Sequence, residues 1–366
     1  MTLATRLPAF TWDRVARYRK EAERHPDGVV DLSIGSPVDP VPGTVQAALA
    51  AAANSPGYPL TRGTPALRAA AADWLSRRHG VSVSPDTVLP VIGTKEFIAW
   101  LPTMLGLGPG DTVSYPALAY PTYDAGIRLA GATGLPTDAT LAPGPQPVKL
   151  AWVNSPSNPT GRVLPPEHLA KMVGWARDGG TLLASDECYL EQGWETTPRS
   201  VLHPDVSGGR PDGLLAVHSL SKRSNLAGYR AGFVTGDPAL IAELHEICRH
   251  AGLIVPAPIQ AALTAALDDD QAADDQRERY RARRAVLWPA LEAAGWVVEH
   301  SEAGLYLWAR RPGSDGWDSA RILAEAGILA SPGELYGAAG LPCIRLALTA
   351  TDERIGAAAA RLAALA

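Results

Sequence analysis

Between residues 87 and 250 the chain alternates short apolar runs with helix-spaced patterns, and this alternation restricts it to one kind of architecture. The runs at 87–92, 112–115, 150–154, 181–185, 214–218 and 231–235 read as strands. The segments at 95–105, 121–130, 165–177 and 238–250 carry helical periodicity. Strands that are apolar throughout, rather than at every second residue, are covered on both faces. Helices between them supply that cover, so the spacing predicts a mainly parallel sheet flanked by helices in a large α/β domain.

Helices at 45–54 and 65–79 precede this region. After it come a charged helix at 274–292, a strand pair at 296–300 and 305–309, a helix at 318–326, a strand at 344–348 and a helix from 352. We assign residues 36–250 to the large domain, and residues 1–35 with 251–366 to a smaller α+β domain. Segments 142–147 and 207–213 read as loops. A chain of 366 residues, 46% apolar and 19% charged, has the material for more than one core. A net charge of −5 without a basic run argues against nucleic acid as a partner. No apolar run has transmembrane length and no leader follows Met1, so no membrane partner is expected. Cys188, Cys248 and Cys343 show no pairing pattern, which predicts reduced thiols and a cytoplasmic location.

Ligands of open α/β sheets bind beyond the carboxyl ends of the strands. Three successive exits deliver polar groups there: Asn158, then Asp186 with Tyr189, then Lys222. In the window VHSLSKRSNLAGYRAG, Lys222 stands among Ser219, Ser221 and Arg230. A lysine amine becomes a nucleophile when burial or a second cation lowers its pKa, and Arg230 is a candidate for that cation. Two hydroxyls and a guanidinium around an amine suit a phosphate-bearing aldehyde, though a surface lysine after a strand reads the same way. Gly93-Thr94-Lys95 opens a helix directly after a strand, as a phosphate cradle or as a simple cap. Arg345, in the apolar IRLALTA, needs an anion, either a structural carboxylate or a substrate one. Ser219 and Lys222 also fit Ser-x-x-Lys, but no Lys-Thr-Gly accompanies them. His245 and His250 are five apart and do not share a helix face, so no metal site is expected.

Taken together, SPSNPTG, SDECY, SLSKRSNLAGYRAG and IRLAL resemble the fold-type I pyridoxal-phosphate aminotransferases of class I/II, from about residue 31 to the C-terminus. More narrowly, VDLSIGSPVDPVP, PGYPLTRGTPALR, LPVIGTKEFIAWLPTMLGLGPGD and SEAGLYLWA are similar to the actinobacterial type of N-succinyldiaminopimelate aminotransferase. The resemblance implies pyridoxal 5'-phosphate as cofactor, with Lys222 as its Schiff-base lysine and Asp186 as the partner of the pyridine nitrogen. It implies Tyr189 and Asn158 as donors to the ring's phenolic oxygen. Ser219 and Arg230 match phosphate ligands, joined by Gly93, Thr94 and Lys95, with Ser221 as a further candidate.

Tyr58 matches the tyrosine that reaches the cofactor of the neighbouring subunit, which implies a homodimer with shared sites. Arg345 matches the clamp on the substrate α-carboxylate, and Gly35 a glycine whose backbone approaches it. In YPALAYPTY we take Tyr120 for the residue stacked on the ring because a proline follows it; Tyr115 and Tyr123 are the alternatives. Arg62 and Arg223 are candidates for distal carboxylates. The implied reaction moves an amino group between glutamate/2-oxoglutarate and N-succinyl-2-amino-6-oxopimelate in lysine biosynthesis, with Lys222 as the proton carrier. Acetylornithine or other class I/II transamination, and carbon–sulfur lysis on the same fold, are the alternatives. A regulator on this fold needs a DNA-binding domain, and the stretch before Asp31 is too short for one.

Overall fold

The computed structural model describes residues 2–8, 11–138 and 147–365. The loop expected at 142–147 lies, apart from Pro147, outside them. The two-residue strand β1 (Val30–Asp31) precedes a seven-stranded sheet. Its members are β2 (Val88–Val91), β3 (Thr112–Tyr115), β4 (Thr133–Pro136), β5 (Val148–Asn154), β6 (Leu182–Asp186), β7 (Leu214–Ser219) and β8 (Gly232–Gly236). The spatial order is β2-β8-β7-β6-β5-β3-β4. All pairings are parallel except those of β8, which runs antiparallel to β2 and β7. Every residue of β2 and β8 is buried, as apolar runs between two helical layers must be. One layer packs Leu67, Leu75, Val173 and Leu263 against the sheet, and the other packs Phe97, Ile98, Ile127 and Leu244.

Edge strand β4 was not anticipated. Its sequence, TGLP, is largely solvent-facing and carries no apolar run to reveal it. Helix Pro65–His79 shows how locally such elements are specified. Thr64 caps it by accepting from the Leu67 N–H at 3.2 Å, a proline opens it, and Gly80 ends it in the left-handed region at φ 64°. Helix Ala257–Asp268, beyond residue 250, joins the large-sheet core through Ala262, Leu263, Ala266 and Leu267.

A second sheet is antiparallel. It contains β9 (Val297–Glu299), β10 (Tyr306–Arg310), β12 (Ser331–Pro332) and β13 (Cys343–Ala347), in the order β12-β13-β10-β9. β11 (Ile328–Leu329) pairs in parallel with β1, tying the N-terminal arm to this unit. The long helix Asp270–Ala293 and the terminal helix Asp352–Ala363 pack on one another, and their apolar faces close a core with Trp296, Leu307 and Ile344. Among the described residues no helix is long and apolar enough to cross a membrane.

Candidate active site

The exits of β5, β6 and β7 meet the second sheet at a cavity of about 390 Å³. Asn158, Asp186, Tyr189, Ser219, Ser221, Lys222 and Arg230 line it from the large sheet. Thr94, Lys95 and Tyr120 border it on one side, and Gly35, Tyr306 and Arg345 on the other. Gly93 stands just behind the wall: a Cβ placed on it would lie 2.3 Å from Nη2 of Arg230. Tyr58 does not reach this cavity; its side chain is fully exposed.

Lys222 is carried on the single turn Leu220–Arg223, which Ser219 caps by accepting from the Ser221 N–H at 3.2 Å. Its ammonium donates to the Gly35 carbonyl. Burial holds the amine below the ordinary lysine range, opposed by Tyr306 and Cys188 and assisted by Arg345 and Arg230. Of the two causes the sequence leaves open, burial is the larger, and among the cations Arg345 comes before the candidate Arg230.

Asp186 is buried at the end of β6. The Tyr123 hydroxyl donates to its Oδ2 at 2.7 Å and the Cys188 N–H to its Oδ1 at 3.2 Å. Burial pushes this carboxyl up, while Cys188 and Tyr123 pull it down. Asn154 fixes both neighbouring exits at once: its Nδ2 donates to the Asp186 carbonyl at 2.9 Å, and its Oδ1 accepts from the Asn158 N–H at 2.7 Å.

Arg345 donates through Nη1 to Oδ1 of Asn158 at 2.8 Å and through Nη2 to the Ser33 carbonyl at 2.7 Å. Its guanidinium carbon lies 3.9 Å from the ring centre of Tyr306 and 4.7 Å from that of Tyr336. A planar cation held this way presents its in-plane N–H donors to an anion in a fixed direction. Tyr189 and Tyr306 join through their hydroxyls at 3.0 Å. The Lys95 ammonium donates to the hydroxyls of Thr122 at 2.9 Å and Tyr120 at 3.2 Å, so its side chain points along the cavity wall.

The three tyrosines of YPALAYPTY separate by position. Tyr120 lines the cavity, Tyr123 lies behind Asp186 against Trp152, and Tyr115 turns towards Asp124 at 3.5 Å. Neither Arg62 nor Arg223, the candidates for distal carboxylates, lines this cavity. Arg62 is exposed and donates to the Asp86 carbonyl at 3.0 Å, whereas Arg223 is buried in ion pairs with Glu191 and Asp270. Sequence reasoning missed Tyr306, Tyr336, Cys188 and the support role of Tyr123. For Tyr306 a signal existed: once β10 pairs with β13, Trp308 stands opposite Arg345, and Tyr306 lies two residues away on the same face.

The donor set suits pyridoxal 5'-phosphate. It offers an amine with lowered basicity, a buried carboxylate for a ring nitrogen and, at the other end, a helix start beside Arg230 and two serine hydroxyls. The space at Gly93 that a side chain would fill lies where the helix Thr94–Met104 begins, which leaves backbone amides open to an anion. These residues would hold the cofactor.

A family model for class I and II aminotransferases matches residues 27–362. The 4-dedimethylamino-4-oxo-anhydrotetracycline transaminase OxyQ of Streptomyces rimosus is 60% identical over 97% of this chain and 99% of that protein. A probable aminotransferase of Mycobacterium tuberculosis is 58% identical, covering 97% of this chain and 85% of that one. Among solved structures, a probable N-succinyldiaminopimelate aminotransferase of Thermus thermophilus aligns with a TM-score of 0.88 at 29% identity, over 98% of this chain and 100% of that one. The expected fold-type I architecture and the cofactor, pyridoxal 5'-phosphate, stand. With the amine, the buried acid and the arginine fork on one cavity, the chain belongs to the class I and II aminotransferases.

Proposed function

We propose that this enzyme transfers an amino group from glutamate to N-succinyl-2-amino-6-oxopimelate, acting as a cytoplasmic homodimer. The observation that carries the transamination reading is the meeting of Lys222, Asp186 and Arg345, from separate parts of the chain, on one buried cavity. The acceptor rests on the likeness of the substrate-side segments and on the Thermus thermophilus neighbour.

In this reading Arg345 receives the α-carboxylate of either substrate, replacing solvent with a fork already oriented by Asn158 and Ser33. The Gly35 backbone lies beside that position, close to Lys222. When bound, the cofactor supplies a ring that accepts the electron pair left as the Cα proton departs. Lys222, as a neutral amine, would take the Cα proton and carry it to the cofactor's aldehyde-derived carbon on the other side of the linking nitrogen, a role that its burial favours. Asp186 would hold a positive charge on the ring nitrogen, and Tyr189 and Asn158 would donate to the ring's oxygen. Tyr120 would pack against the ring. Gly93, Thr94, Lys95, Ser219, Ser221 and Arg230 would receive the phosphate. Full exposure of Tyr58 supports its reaching a neighbouring subunit's site.

A second reading takes a bulky cyclic ketone as acceptor. Support comes from the 60% identity to OxyQ and from an adjoining cavity of about 490 Å³ with a largely apolar wall, including Ala119, Leu335 and Tyr336. The two cavities share Lys95 and Tyr120. Turnover of glutamate with N-succinyl-2-amino-6-oxopimelate, with N-acetylglutamate semialdehyde and with a fused-ring ketone, followed as 2-oxoglutarate release, separates these readings. The first acceptor should give the highest kcat/KM; a higher value for the ring ketone would replace it with the second reading.

A further inference from the structure

On the opposite side of the sheet from the cofactor cavity lie two buried ionisable groups that the chemistry above leaves unused. Glu187 follows Asp186 at the end of β6, and His218 precedes Ser219 in β7. Neighbours along a strand face opposite sides, so each turns into the core while its neighbour faces the cavity. The Glu187 side chain is 0% exposed and that of His218 2%.

Glu187 accepts from the Val201 N–H through Oε1 at 2.7 Å. Its own N–H donates to the Val217 carbonyl at 2.9 Å, one residue past the end of the β6–β7 ladder. His218 packs against Phe233 at 4.9 Å and edge-on to Trp74 at 5.3 Å, ring centre to ring centre. Oε2 of Glu187 faces Nε2 of His218 at 3.7 Å. Neither atom, nor Nδ1 of His218, has a hydrogen-bond partner among the described residues. Hydrogen bonds from Val201, Ser200 and Ser185 favour a charged Glu187, but burial outweighs them, and a charged His218 beside it would lose its water with poor compensation. A neutral acid and a neutral imidazole need one hydrogen bond between them, and a contraction of under about 1 Å supplies it.

We propose that Glu187, carrying its proton on Oε2, and neutral His218 form a hydrogen-bonded brace that joins the ends of β6 and β7. The brace fixes Asp186 and Ser219 relative to each other, a role that rests on reading those two as cofactor-holding residues. Glu187 and His218 are positioning residues that touch no substrate. Burial acts on both in the required sense, raising Glu187 to about 7 and lowering His218 to about 3. The surrounding groups are few: Ser185, Ser200 and Asp186 face Glu187, His79 faces His218, and Arg223 lies over Trp74 at 5.7 Å.

The central variant is Glu187→Gln, whose amide both accepts from Val201 and donates to His218 at any pH. A carboxyl with a raised folded pKa contributes stability that is full below its unfolded value of about 4.5 and is lost as pH rises through about 7. The thermal midpoint of cofactor-free Glu187→Gln should therefore gain on that of the parent as pH rises from 5.5 to 8.5. Cofactor retention on dialysis should follow the same trend. Glu187→Leu and His218→Leu should each raise the dissociation constant of pyridoxal 5'-phosphate about tenfold, and the double variant no further.

In ¹⁵N-histidine spectra of the unaltered holoenzyme, the His218 signals, assigned by their loss in His218→Phe, should be those of a neutral imidazole at pH 6. An imidazolium there, or a Glu187→Gln protein whose midpoint tracks the parent through pH 7, overturns the brace. If instead the cofactor reading is wrong, no form binds pyridoxal 5'-phosphate, yet the pH-dependent difference in midpoints persists.

Discussion

Replacing Gly93 with alanine strikes the phosphate cradle through two separable effects. Gly93 sits at φ 73° and ψ 149°, a region open essentially to glycine alone, where another residue costs about 1–3 kcal/mol. The added Cβ would also lie 2.3 Å from Nη2 and 2.8 Å from Cζ of Arg230. That guanidinium has little freedom to yield, because its Nη1 is tied to the Ala227 carbonyl at 2.8 Å. Backbone strain of about 2 kcal/mol, against an unfolding entropy of about 2.1 cal/mol/K per residue, lowers the midpoint of the cofactor-free protein by roughly 3 °C.

Displacement of the guanidinium removes a charge-assisted hydrogen bond to the phosphate, about 1.5–3 kcal/mol, or roughly 10- to 150-fold in affinity. Thermal melts read the first effect, and absorbance titration with pyridoxal 5'-phosphate reads the second. In an Arg230→Ala background the added methyl meets no guanidinium, so Gly93→Ala should still lower the midpoint but cost little further affinity. Parent-like affinity in Gly93→Ala, or fully additive affinity losses in the double variant, would refute the assignment of Arg230 and Gly93 to one anion site.

Further consequences follow from the same geometry. Arg345→Lys keeps the charge but loses the fork that serves Asn158 and Ser33 together. KM for glutamate should rise by about 10- to 100-fold with a smaller change in kcat, read by steady-state kinetics. Tyr123→Phe removes the 2.7 Å donor to Asp186, so the carboxyl pKa should climb further and cofactor affinity fall by about 1.5–3 kcal/mol, checked by the same titration. Burial lowers the His79 pKa to about 4, so its contribution is present above the unfolded value of 6.5 and is lost as pH falls towards 4. Denaturant melts of His79→Phe should show a shallower acid slope than the parent, by on the order of 1.4 kcal/mol per pH unit across that window.

Much of the large sheet was legible because its strands are buried on both faces, and continuous apolar runs such as those of β5 and β7 announce that directly. β4 was silent because an edge strand facing solvent needs no such run. Helix Ala257–Asp268 was overlooked because its alanine-rich sequence gives a weak amphipathic signal, although Leu263 and Leu267 anchor it firmly. Strand exits brought Asn158, Asp186 and Lys222 together on paper because the topology rule for parallel sheets fixes where exits lie.

What linear sequence withheld was pairing between distant segments. Nothing local in Arg62 or Arg223 tells that one lies on the surface and the other is consumed by Glu191 and Asp270. Tyr306 and Tyr336 enclose Arg345 only through the register of the second sheet and the 3-10 helical turn Gly333–Tyr336 after β12. Tyr123 shares a motif with Tyr120, and the helix beginning at Thr122 turns one towards Asp186 and leaves the other facing the cavity.

Borohydride reduction of the enzyme loaded with pyridoxal 5'-phosphate, followed by peptide mass analysis, tests the assignment of Lys222 most directly. A single pyridoxyl mass increment on the peptide containing Lys222, absent in a Lys222→Ala protein that folds normally but does not turn over, is the predicted result. The increment on Lys95 or another lysine, or undiminished turnover by Lys222→Ala, would contradict it.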